Sequence, residues 1–157
     1  MIDAGFKPLK LLAIQPLDLE VLSSYLQDGL LSVSSLDYDS KNGRFSCLVN
    51  RFCWETIDHK KDQNSYYRVH TGLCFSEVLE VHLRGFHQSS SRRILNILSL
   101  TMPSKNHVHF LFSDDHEIRI KIQDLYCQFA DLDHPWPTSK KPTHLHQHLE
   151  DLTNKIL

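Results

Sequence analysis

Along most of the chain, apolar and polar residues alternate with a period of two, which is typical of β-strands that bury one face. Short polar stretches containing Gly, Pro, Asn or Ser separate these segments and predict turns. The segments predicted as strands are residues 9–15, 30–38, 44–55, 66–75, 78–86, 94–102, 107–112 and 117–122. The pattern therefore predicts an α+β fold that is mostly antiparallel β-sheet, as a bent sheet or a partial barrel. A pleckstrin-homology-like barrel is one instance of this plan.

At two places the apolar period becomes helical. Near the N-terminus, Leu19, Leu22 and Leu26 form an apolar stripe after Pro16, a residue that suits the first turn of a helix. We expect Gly29 to end this helix as a left-handed cap. Near the C-terminus, a second stripe predicts a short amphipathic helix with Thr143 as its N-cap. The apolar residues of that stripe are Leu145, Leu149, Leu152 and Ile156.

Two segments near the end of the chain leave alternatives open. Residues 124–132 fit a strand, in which Leu125, Cys127 and Phe129 share one face, and they also fit a helix. The strand is favoured, with a bulge near Gln123. Residues 133–142 are polar and rich in proline, as in a linker or in a strap over the domain. We therefore expect one globular domain at residues 9–137, followed by a linker and an appended amphipathic helix at 138–157.

Composition indicates which classes of partner and which cellular compartment suit this chain. The 157 residues include 17 basic and 19 acidic side chains, and a net charge of -2 argues against nucleic acid or a membrane surface as a partner. No apolar stretch is long enough to span a membrane, and the N-terminus lacks a signal-peptide pattern. The four cysteines form no C-x-x-C pair and lie among apolar residues. Buried, inert thiols and a reducing cytoplasmic location are therefore expected.

The eleven histidines raise the question of a metal site. His107 and His109 share one face of a predicted strand, while the apolar residues that alternate with them are predicted to face the core. The next strand places Arg119 and Lys121 beside them, and cationic neighbours oppose metal binding. This pair therefore predicts no metal site.

His144 and His148 are four residues apart on the predicted C-terminal helix and would share a face. A zinc protease carries a glutamate after the first histidine of such a pair, and Leu145 stands there instead. We predict neither a metal nor another cofactor for this chain.

Four residues form the candidate ligand-binding group: Arg51, Trp54, Glu55 and Arg68. Arg51 lies among apolar residues on a predicted central strand, and a buried arginine needs a carboxylate partner. One interpretation is an anion- or carboxylate-binding site with Arg51 and Arg68 as donors and Trp54 as a wall. The other is a structural ion pair of either arginine with Glu55, beside a core tryptophan. Both interpretations remain open at this stage.

Motifs for catalysis are missing from the sequence. It contains no G-x-S-x-G and no Gly-rich phosphate loop, and no catalytic residue is predicted. The leading hypothesis is a non-enzymatic binding or adaptor protein with a protein partner, and a homodimer formed through the last helix or an exposed sheet edge is one such assembly. The alternative is a small-anion binder or an enzyme that uses the Arg, Glu and Trp residues above.

The most specific motifs between Leu9 and His144 are the N-R-F-x-W-E and D-L-x-x-P-W segments. They belong to a larger set of residues: Leu11–Ala13, Leu26–Gly29, Asn50–Glu55, Arg68, Thr71, Leu73, Phe75, Ala130–Leu132, Pro135, Trp136 and Pro142. Together these stretches resemble an alphaproteobacterial family known as domain of unknown function 2948. The resemblance implies a small, stand-alone bacterial cytoplasmic protein, and it implies no activity and no catalytic residue.

Overall fold

The computed structural model describes residues 6–56, 66–86 and 92–142. These residues form one α-helix, α1 (Pro16–Leu26), and eleven β-strands, so the prediction of a mostly antiparallel sheet with an N-terminal helix is confirmed. The strands are β1 (Lys10–Ala13), β2 (Leu30–Ser32), β3 (Asp37–Asp39), β4 (Arg44–Phe52), β5 (Tyr66–Phe75), β6 (Val78–Arg84), β7 (Ile94–Ser104), β8 (His107–Phe112), β9 (Glu117–Ile122), β10 (Cys127–Asp131) and β11 (Trp136–Thr138). The predicted C-terminal helix lies outside the described residues.

The strands form one antiparallel sheet in the order β1-β10-β5-β4-β2-β7-β8-β9-β6. Two short strands lie beside this path, because β3 pairs with β4 and β11 pairs with β5. Within the described ranges the path is open, with β1 at one end and β6 at the other. The apolar residues of the inner face pack with α1, which buries Leu19, Leu22 and Leu26. No helix among the described residues is long and apolar enough to cross a membrane.

The end of α1 differs from the expectation. The residue with left-handed backbone is Asp28, at a φ of 60°, and Gly29 has no positive φ. Aspartate is one of the few residues that tolerate this conformation, because its short polar side chain can hydrogen-bond locally. Gly29 is needed for space instead: a Cβ there would lie 2.8 Å from the carbonyl oxygen of Leu26 and 2.8 Å from Cγ1 of Val49.

The single strand predicted at residues 30–38 is two strands separated by a 3-10 turn, Val33–Ser35. A serine side chain explains the break. The hydroxyl of Ser35 donates to the carbonyl of Ser32 at 2.7 Å, and the amide of Leu48 donates to this hydroxyl at 3.1 Å. A side chain therefore takes the place of a backbone ladder bond, as serines readily do. β2 and β3 consequently pair with different parts of β4.

Two other boundaries, the ends of β4 and β7, also differ from the predictions. β4 ends at Phe52, and Trp54–Thr56 form a 3-10 turn rather than the end of the strand. β7 continues through Pro103 to Ser104, where a register shift against β8 accommodates the proline. The ambiguous segment 124–132 contains a strand, β10, as favoured. The proline-rich stretch after it contributes β11, which agrees with a strap rather than a free linker.

Candidate functional site

Arg51 occupies a core-facing position of β4. The residues that precede it on the same face are Phe45, Cys47 and Val49, all buried, and the side chain of Arg51 is itself 0% exposed. A charge at a position that the alternation assigns to an apolar side chain is strongly unfavourable unless it is paired and hydrogen-bonded. The contacts of its guanidinium therefore decide what this residue does.

Two carboxylates hold the Arg51 guanidinium, each through two hydrogen bonds. Nε donates to Oδ1 of Asp131 at 2.9 Å and Nη2 donates to Oδ2 at 2.8 Å. Nη1 donates to Oε2 of Glu55 at 3.0 Å and Nη2 donates to Oε1 at 2.7 Å. The rings of Tyr25 and Phe129 lie 5.7 and 5.6 Å from Cζ. Paired bonds of this kind are the strongest that arginine makes.

Asp131 is held from two further directions. The hydroxyl of Thr71 donates to its Oδ1 at 2.8 Å, and the backbone amide of Leu9 donates to its Oδ2 at 2.8 Å. Because Arg51, Thr71 and Leu9 all donate to the Asp131 carboxylate, this one group links β4, β5, β10 and the residue before β1. Burial alone would lower the pKa of Arg51, but its hydrogen bonds with Asp131 and Glu55 raise that pKa above its usual value. Arg51 is therefore positively charged. Its guanidinium is engaged by Asp131 and Glu55, and we call these three residues with Thr71 the Arg51 cluster.

The Asp131 carboxyl predicts how the fold responds to acid. Burial would raise its pKa, but the hydrogen bonds from Arg51, Leu9 and Thr71 outweigh burial and lower it. A carboxyl with a lowered folded-state pKa stabilises the fold fully above its unfolded value, about 3.9, and this stabilisation is lost as the pH falls through the folded value. We expect urea unfolding of the protein to show a loss of stability below about pH 4.

Asp131→Asn should flatten that acid-side decrease, because an amide cannot take up the proton. Asp37→Asn, at an exposed position of β3, is the matched control and should leave the decrease as it is. Equal pH profiles for Asp131→Asn and the unsubstituted protein would show that Asp131 is not responsible for it.

The other two members of the candidate group lie on the opposite face of the sheet. Arg68 pairs across from Phe52, the neighbour of Arg51 whose side chain points the other way. The Cζ of Arg68 lies 5.7 Å from the Phe52 ring, and Nη1 donates to the carbonyl and the side-chain oxygen of Asn50 at 3.2 and 3.3 Å. Trp54 contacts Phe52 edge-on at 4.6 Å and donates from Nε1 to the carbonyl of Gln27 at 3.0 Å.

The structure therefore divides the four residues into two pairs. It brings Arg51 to Glu55 in the core, and it brings Arg68 and Trp54 to the ring of Phe52 on the outer face. Sequence reasoning did not select Asp131 as a member of the site, although a signal was present. Asp131 follows Cys127 and Phe129 at alternate positions, so the strand pattern places a carboxylate on the core face.

A groove lies on the outer face of β4, β5 and β10. In the sheet register Leu48 is opposite Gly72, and Gly72 is opposite Ala130. Because Gly72 has no side chain, the middle of this row is hollow, and Leu132 closes one side with its Cδ1 at 3.4 Å from where a Cβ would lie. The groove has a volume of about 490 Å³ and is lined by Ser35, Ser46, Cys47, Leu48, Gly72, Leu73, Cys74, Gln128, Ala130 and Leu132.

The lining of this groove suits binding better than chemistry. None of its lining residues carries an acidic or basic side chain. The side chain of Cys47 points into the core rather than into the groove, and burial raises the pKa of its thiol to about 12, so the thiol stays protonated and is a poor nucleophile. Cys74, expected to be buried, is only half-buried and lies on the groove floor. The groove volume lies within the range of known ligand pockets, and its uncharged lining suits an apolar group.

Comparisons with known proteins identify a family for this chain and do not indicate an activity. The model of the family described as Protein of unknown function (DUF2948) matches residues 9–144. This range contains every residue of the Arg51 cluster and of the groove. No curated protein and no solved structure matches the chain.

Proposed function

This chain belongs to the family Protein of unknown function (DUF2948), and we propose that it is a small non-enzymatic adaptor that self-associates through its outer-face groove. The occupant of the groove is the amphipathic C-terminal helix of a second copy, predicted at residues 143–157. The observation that carries the proposal is the uncharged, glycine-floored groove on β4, β5 and β10. The domain at residues 9–137 would then hold the groove, and the segment at 138–157 would supply the ligand.

The chemistry of the candidate residues supports binding over catalysis. The Arg51 guanidinium is engaged by two carboxylates, so an added anion would have to displace Asp131 or Glu55. One positive charge between two negative ones also repels a further anion. These contacts favour a structural ion pair over the small-anion or enzyme alternative. Arg68 and Trp54 face another side and cannot complete a site with Arg51.

The position where the described chain leaves the sheet favours a second copy as the donor. Thr138 pairs with Tyr66, six residues along β5 from Gly72, which is about 20 Å. The chain runs away from Gly72 there, and five extended residues before the predicted helix span at most about 17 Å. A helix that reversed directly after Thr138 would need almost its full length of about 22 Å to reach its own groove, whereas exchange between two copies lets the whole helix lie in the groove of the partner copy. Such an exchange forms a closed, symmetric dimer.

The apolar stripe of the predicted helix matches the groove in character. Four apolar residues recur on one face of about four turns, and a helix of 15 residues is too short to be stable alone in water. Packing on an apolar sheet face would stabilise it. We propose that this helix completes a pleckstrin-homology-like plan with the antiparallel sheet. The whole protein is proposed to act in the cytoplasm.

The half-buried thiol of Cys74 provides a reporter for occupancy of the groove. We expect a maleimide reagent to label Cys74 slowly in the full-length protein, because the helix covers the groove floor. The double substitution Leu149→Glu and Leu152→Glu should speed labelling about tenfold or more, since it places two charges against an apolar surface. The rate is measured by mass spectrometry of the intact protein.

Two controls make this experiment decisive. Cys74→Ser should abolish the fast label, because the other three cysteines are buried. Gln147→Glu and Asn154→Glu add the same charge to the same segment on the side opposite the apolar stripe and should leave the rate unchanged. Fast labelling of Cys74 in the full-length protein, with no effect of the leucine substitutions, would show that the helix does not occupy the groove.

A further inference from the structure

Basic side chains form cross-strand rows on the outer face of β6, β8 and β9, away from the groove. In one row His82 pairs with Arg119, which pairs with His109. In the next row Lys121 lies between Glu80 and His107. We call this surface the basic face and define it by His82, Arg84, His107, His109, Arg119 and Lys121. It is a local concentration of charge in a chain whose net charge is -2.

A nearly buried carboxylate organises the basic face. The side chain of Glu117 is 9% exposed, and its Oε1 accepts a hydrogen bond from Nε of Arg119 at 3.0 Å. Nδ1 of His109 lies 3.4 Å from the same oxygen, and Nη1 of Arg84 lies 3.8 Å from Oε2. Glu117 therefore holds three basic groups together, while Arg84 and Arg119 remain more than half exposed toward solvent.

We propose that the basic face binds an extended acidic segment of a partner protein. Arg119 and Lys121 are two residues apart on β9, which places them about 6.8 Å apart, and neighbouring strands are about 4.8 Å apart. Alternate carboxylates of an extended peptide have the same spacing of about 6.8 Å. A peptide lying along β9 can therefore present one carboxylate to each row, where arginine, lysine and histidine donate charge-assisted hydrogen bonds.

The composition of the basic face favours an acidic peptide over a single-stranded nucleic acid. Sheets that bind single strands stack the bases on exposed aromatic rings. The outward positions of β6, β8 and β9 hold no Phe, Tyr or Trp, because Phe110 and Phe112 of β8 point into the core. The face thus offers charge without a stacking platform.

The test is fluorescence anisotropy with a labelled 12-residue peptide of alternating Glu and Ser and the full-length protein. Arg119→Gln with Lys121→Gln should weaken binding about tenfold or more at low salt. The matched control is Lys41→Gln with Arg44→Gln, which removes the same charge from exposed positions at the start of β4 and in the turn before it and should leave binding unchanged. Circular dichroism checks that each variant is folded.

Two outcomes would overturn the proposal: equal weakening by the control pair, or tighter binding of a 12-nucleotide poly-dT than of the peptide. Gly72→Val should leave peptide binding unchanged, since the groove lies on other strands.

Discussion

Arg51→Met should destabilise the protein by about 3–5 kcal/mol, the range measured when one partner of a buried ion pair is removed. Methionine has a similar length but leaves the carboxylates of Asp131 and Glu55 without their shared donor. The side chain of Asp131 is 0% exposed, so water cannot replace the lost hydrogen bonds. Since a domain of this kind is stable by only about 5–15 kcal/mol, we expect a large decrease in the urea midpoint.

Two further variants test whether the loss of stability comes from the buried ion pairs of Arg51 or from the removal of any arginine. Arg44→Met, at the exposed start of β4, should change stability by no more than about 0.5 kcal/mol. Asp131→Asn in the Arg51→Met background should recover part of the loss, because the amide oxygen still accepts from Thr71 while the unpaired charge is gone. An Arg51→Met protein as stable as Arg44→Met would show that the cluster does not hold the fold.

Gly72→Val should break self-association without weakening the fold. The new Cβ would meet Leu132 at 3.4 Å, an ordinary contact, and valine is favoured over glycine in a strand. Its methyl groups would fill the hollow that the predicted helix needs, and overpacking of this kind costs about 1–3 kcal/mol. We therefore expect the dimer to bind about ten- to a hundredfold more weakly by sedimentation equilibrium.

The control for Gly72→Val adds the same side chain to another strand. Thr101→Val, at an exposed position of β7, should leave both stability and association unchanged. If Gly72→Val unfolds the protein, its weaker association says nothing about the groove, and Leu132→Ser then serves as the second variant. Unchanged association in a folded Gly72→Val protein would exclude the groove as the interface.

The sequence predicted the strands well because burial of one sheet face imposes a period of two. Arg51 could be identified as buried and in need of a carboxylate from its apolar neighbours alone, and Glu55 was close enough in sequence to be named. Asp131 is 80 residues away, and only the register of β4, β5 and β10 brings it to Arg51. Register between distant strands cannot be read from a single sequence.

Register also explains why the four candidate residues do not form one site. A shift of one residue turns every side chain of a strand to the other face, and Arg68 lies opposite Phe52 rather than Arg51. The misplaced helix cap has a similar origin. The sequence pattern favours a left-handed cap at Gly29, whereas a side chain there is excluded by the Leu26 carbonyl and by Val49, which lies 20 residues away.

The mass of the untagged full-length protein by native mass spectrometry, at about 10 μM, tests self-association through the groove most directly. We predict a mass of two chains, which falls to one chain in the Leu149→Glu, Leu152→Glu variant and in Gly72→Val. A single chain for the unsubstituted protein, or a dimer that survives both substitutions, would contradict the proposed function.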